Sequence, residues 1–118
     1  MTLTTKAILP LGALTLALAM PVAAAAQDEA LVKKGQEIYT AQKCSVCHSI
    51  AGKGKKTNPL DGVGSKLSAD EIRQWILDPV VMAKKASSTK KPPMLKKYDK
   101  LPAADIDALV AYMQSLKK

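Results

Sequence analysis

Apolar residues recur at helical spacing in separate stretches of the chain, and nowhere do they alternate long enough to specify a strand. After an apolar N-terminal run, Leu31, Gly35, Ile38 and Tyr39 fall along one face of a first helix. Asp28 is placed to cap that helix, and Asp28 and Glu29 give it an acidic first turn. Ser68-Ala69-Asp70-Glu71 forms a capping box, with Leu67 and Ile72 set for the accompanying hydrophobic staple. Ile72, Trp75 and Ile76 then share a face until Pro79, which disfavours helical geometry at Asp78; Val80, Val81 and Met82 continue as a further short helix. The last stripe is Ile106, Leu109, Val110, Met113 and Leu116. Pro102 suits its first turn, Asp105 and Asp107 lie near its start and Lys117 and Lys118 at its end, matching the helix dipole.

Between these stretches lie two irregular connections. Residues 49–64 hold four glycines and Pro59 and predict a surface loop. Residues 84–100 are basic and proline-containing, and so long a connection in a small domain points to a functional or disordered segment. The expectation is an all-α domain of three to four short helices, with no internal repeat.

At 118 residues there is room for one domain, and part of that length reads as a leader. Lys6, the apolar run from Ala7 to Met20, Pro21 and the alanines ending at Ala26 form a secretory signal pattern, with Ala24 and Ala26 meeting the small-residue rule for cleavage before Gln27. Residues 1–26 are therefore expected to be a cleaved signal peptide and residues 27–118 the mature domain, exported to the periplasm. An uncleaved anchor fits less well, because a spanning helix needs about 20 apolar residues and Pro10 breaks this run. No membrane span is expected in the mature form.

The chain carries 18 basic and 10 acidic side chains, a net charge of +8, and Arg73 is its only arginine. Nucleic-acid binding normally mixes arginine with stacking aromatics; this exported chain has no Phe, so the charge reads as a docking or solubility feature. With one Trp and three Tyr, so small a core should be completed by something bulky and apolar.

The chemistry concentrates in Cys44-Ser45-Val46-Cys47-His48, which holds both cysteines and the only histidine. Cysteines three apart on a helical turn can each form a thioether with a vinyl group of one porphyrin, and the adjoining histidine can ligate its iron. A thioredoxin-like site would need a βαβ context, and a structural zinc site four nitrogen or sulfur ligands; neither is available in this pattern, so one covalent haem c is the expected cofactor.

With Gly35 and Tyr39 on the first helix and Leu109 and Tyr112 on the last, at the positions where those helices cross, the mature chain resembles the class I monohaem c-type cytochromes over residues 28–118. The resemblance implies a small cytochrome c-like fold around one haem and a single-electron carrier cycling between Fe(III) and Fe(II), without enzymatic activity. It implies a methionine as sixth ligand on the loop before the last helix, where Met94 follows Pro92 and Pro93. Met82 is the competitor, while Met113 belongs to the apolar stripe. A thioether ligand favours Fe(II) and raises the reduction potential.

In the family a proline carbonyl accepts a hydrogen bond from the proximal histidine, and Pro59 in Asn58-Pro59-Leu60-Asp61-Gly62 is the matching position; an ordinary turn proline is the alternative. Trp75 is expected at the haem, through its indole N–H to a propionate or by packing alone. The last helix departs from the family in beginning with Leu101-Pro102 where Ser or Thr is common.

A monomer is expected, with redox proteins as partners: an acidic-surfaced dehydrogenase, an oxidase or another cytochrome. Lys43, Lys53, Lys55, Lys56 and the lysines of residues 90–97 are placed to steer such a partner, or simply to solvate the surface. The rival class is a haem protein with an open or labile sixth site, acting as a small-ligand sensor or weak peroxidase; the alternative for Met94 itself is a gap-filling side chain beside a haem whose sixth site is open or held by a nearby lysine.

Overall fold

The computed structural model describes the backbone of residues 22–118, with side chains from Asp28 onward. The expected leader lies outside these residues apart from positions 22–26. Five α-helices are present among the described residues: α1 (Val22–Ala41), α2 (Val63–Lys66), α3 (Ala69–Leu77), α4 (Pro79–Lys85) and α5 (Ala103–Ser115). Short 3-10 turns cover Cys44–Val46 and Tyr98–Lys100. The all-α expectation holds, with two differences of count. Residues 63–66 form a helical turn that starts at the end of the stretch read as loop, and Ser49–Ile50 (β1) pairs antiparallel with Lys53–Gly54 (β2) as a minimal hairpin. Two-residue strands are too short to leave a periodicity in the sequence.

Asp28 lies within α1 instead of capping it, because the alanines before it are the best helix formers and carry the helix back to Val22. The capping box at α3 forms as read: the Ser68 N–H donates to Glu71 Oε2 at 2.9 Å and the Glu71 N–H to Ser68 Oγ at 3.2 Å. The Ser68 N–H, with the Ser68 hydroxyl beside it, holds the Glu71 carboxyl below the usual carboxylate range. Asp78 ends α3 and starts α4, its Oδ1 accepting from the Val81 N–H at 3.4 Å with Pro79 in the first turn.

α5 is the centre of the core and packs on α1, α2 and α3. Its crossing with α1 is set by Gly35, where an added Cβ would collide with the Ala108 carbonyl oxygen and come within 2.6 Å of Tyr112 Cβ. The Tyr39 and Tyr112 rings fill that crossing edge to face, 5.7 Å between centroids. A second close approach joins α2 to the end of α5: a Cβ on Gly64 would strike the Gln114 carbonyl, the Gly64 N–H donates to Leu116 O at 3.0 Å, and Gln114 Nε2 donates to Leu67 O at 2.9 Å. Lys34–Asp105 at 3.1 Å and Arg73–Asp107 at 2.7 Å tie α1 and α3 to the first turns of α5. No helix among the described residues is long and apolar enough to cross a membrane.

Candidate functional site

Lys43 turns the chain out of α1 in a left-handed conformation, φ 56°, and residues 44–46 close into a 3-10 turn. The N–H groups of Cys47 and His48 both donate to the Cys44 carbonyl, at 3.1 and 3.0 Å. This tight winding leaves Cys44 half-buried, Cys47 exposed and His48 half-buried, with both thiols free. Burial pushes the Cys44 thiol pKa up, so the chain by itself does not activate it as a thiolate.

His48 is oriented by its backbone neighbours. Its Nδ1 lies 3.1 Å from the Asn58 carbonyl oxygen, which can only accept, so Nδ1 carries the hydrogen and the Nε2 lone pair is free. Burial lowers the His48 pKa against the opposing effect of that bond, favouring the neutral ring that a metal needs.

The acceptor is thus Asn58, a correction to the expectation of Pro59. The reason is strand geometry: Ser49 donates to Asn58 O at 3.3 Å and accepts from the Leu60 N–H at 2.8 Å, in a parallel bridge opposite Pro59. Consecutive carbonyls of an extended segment point to opposite sides. With Asn58 O turned toward residues 48 and 49, Pro59 O is turned away.

A cavity of about 340 Å³ opens beside this turn, within the size of cofactor pockets. Cys44, His48, Pro59, Trp75 and Met94 all line it, against a wall from Ile72, Ile76, Leu109 and Met113. An adjoining space of about 360 Å³ shares Cys44, His48, Asn58, Met94 and Tyr98, and adds Cys47 with the exposed Val46 and Leu95. Every site residue read from the sequence therefore borders one of the two spaces. Met82 borders neither and is buried in α4.

Tyr39 lines the cavity as well as the helix crossing, a double role that sequence spacing does not reveal. Its hydroxyl is buried without a hydrogen-bond partner among the described residues, and burial pushes its pKa up to about 12. Asn58 also escapes sequence reading, because its role comes from a backbone carbonyl.

Two thiols on one turn, an imidazole with Nε2 free, a thioether and an apolar cavity fit a covalently held haem. A helical protein built around that group is the class which fold and site define. A family model for cytochrome c matches residues 32–117, and the chain belongs to that family. It therefore carries a covalently bound haem c. Subunit 2 of cytochrome c oxidase from Alkalihalophilus pseudofirmus is a relative, 26% identical over 75% of this chain; the match spans 27% of that protein's length. No solved structure matches.

Proposed function

We propose that the protein is a periplasmic carrier of single electrons, exported by residues 1–26, cleaved before Gln27, with His48 and Met94 as axial ligands of a haem joined to Cys44 and Cys47. The observation that carries this reading is the shared cavity: Met94 borders it together with Cys44 and His48, whereas Met82, its competitor, does not. Met113 also borders it, but as part of the buried seam of α5.

The haem supplies an iron that alternates between Fe(III) and Fe(II). The chain's own residues do the rest. Asn58 O fixes the tautomer and orientation of His48 and makes it a better donor. Met94 Sδ is a soft, neutral ligand that favours Fe(II). Ile72, Ile76 and Leu109 keep water from the cavity and lower its dielectric. No substrate bond is made or broken.

The partner is an acidic-surfaced redox protein. An oxidase is the first choice, because the relative named above is an oxidase subunit. Stopped-flow electron exchange with the oxidase of the native membrane should slow as ionic strength rises. Rates indifferent to salt would remove the lysines from the account. A high-spin ferric spectrum with ready CO binding to the reduced form would replace the carrier by a ligand-binding protein.

A further inference from the structure

The segment that carries Met94 is attached to the fold in an unusual way. Between Thr89 and Lys97, the backbone hydrogen bond among the described residues is internal, from the Lys97 N–H to Leu95 O at 3.1 Å. No backbone group of this stretch bonds to a helix or to the 49–64 segment. Apart from the local bond of the Lys90 N–H to Ser88 Oγ at 3.4 Å, its polar ties to the rest of the described fold are two lysine side chains. Lys96 Nζ lies 3.4 Å from Asp78 Oδ2, at the junction of α3 and α4. Lys90 Nζ donates to Thr57 O at 3.3 Å. Thr57 adjoins Asn58, whose carbonyl holds His48, so one short segment bonds both to the His48 ring and to the loop bearing Met94.

We propose that Lys90 and Lys96, with Asp78, are positioning residues that brace the Met94 loop over the cavity and so set how firmly the sixth ligand is held. This rests on the reading of Met94 as that ligand. It also divides the basic surface: Lys90 and Lys96 serve the interior, and partner steering falls to the other lysines. Each tie is partly exposed, so each contributes modestly. Together they matter because a loop without backbone ties opens locally at little free-energy cost.

The test uses the processed, haem-loaded protein and measures imidazole binding to the ferric form, which requires the native sixth ligand to leave. The variants are Lys96→Met, Lys90→Met and Asp78→Asn, the last chosen because Asn retains the cap on α4 while losing the charge. Each should tighten imidazole binding about two- to five-fold and speed amide hydrogen exchange in residues 89–97, with the global denaturation midpoint little changed. Asp78→Asn added to Lys96→Met should give no further effect, Lys90→Met should multiply it, and Lys96→Arg should restore the parent affinity.

Unchanged imidazole affinity in all three variants, or a change matched by an equal loss of global stability, overturns the brace. Met94→Ala separates this failure from the other. If it tightens imidazole binding strongly while the lysine variants do not, the brace alone falls. If Met94→Ala leaves the affinity unchanged, Met94 is not the ligand, and the brace falls with the ligand assignment.

Discussion

The α1–α5 crossing and the Met94 loop border the same cavity and are built on opposite principles. At the crossing, backbone meets backbone: Gly35 sits against the Ala108 carbonyl, two tyrosine rings lock edge to face, and the Lys34–Asp105 ion pair at 3.1 Å flanks the contact. Beyond the local bond from the Lys90 N–H to Ser88 Oγ, the loop meets the fold through its side chains, and Leu95 beside Met94 is 64% exposed. The crossing leaves no room for an added Cβ at Gly35, whereas the loop makes no backbone hydrogen bond to α1, α3 or α5. The attachment turn thus follows directly on a rigid helix crossing, while on the proposed ligation the sixth ligand sits on an element of low local stability.

The comparison breaks most completely if the cavity's filler is withheld. Replacing Cys44 and Cys47 together by Ala should abolish the covalent haem mass in the intact-protein spectrum and, with it, most of the far-UV helical signal, because a domain this small lacks a sufficient core of its own. A fully helical haem-free protein would contradict that dependence.

Next in size is Gly35→Val. Its added atoms fall on the Ala108 carbonyl, and overpacking of that kind should destabilise by about 3 kcal/mol in denaturant titration. Leu95→Ala in the loop should change the same midpoint by less than about 0.5 kcal/mol. Equal effects at the two positions would erase the contrast.

Smaller again is Ser68→Ala, which removes the cap of α3 and should lower stability by about 1 kcal/mol. The Glu71 half of the box carries a pH signature. Its native pKa is lowered, so its contribution is present above the ordinary carboxylate range and fades as pH falls through the lowered value. Acid titrations of parent and Glu71→Ala protein should converge there. Smallest is Lys34→Ala at the edge of the crossing, where a half-exposed pair should contribute less than about 1 kcal/mol.

What could be read from the sequence follows the same division. The capping box, the Gly35–Tyr39 face and Cys44-Ser45-Val46-Cys47-His48 are set by spacing along the chain, and the structure places them as that spacing requires. The hairpin, the α2 turn and the Gly64–Gln114 approach depend on how distant backbone segments meet, which spacing does not encode. The Asn58–Pro59 correction is the clearest instance: the segment was identifiable, but the carbonyl facing His48 is decided by a pairing with Ser49 that only the folded backbone defines. The two lysine ties belong with these, since nothing in a run of lysines tells which ones bond to a distant segment.

The central claim is that His48 and Met94 hold one iron between them, and the far-red charge-transfer band of methionine-ligated ferric haem reads it directly. The oxidised protein should show that band, Met82→Ala should keep it, and Met94→Ala should lose it while retaining covalent haem. A band that survives Met94→Ala, or disappears with Met82→Ala alone, would contradict the account.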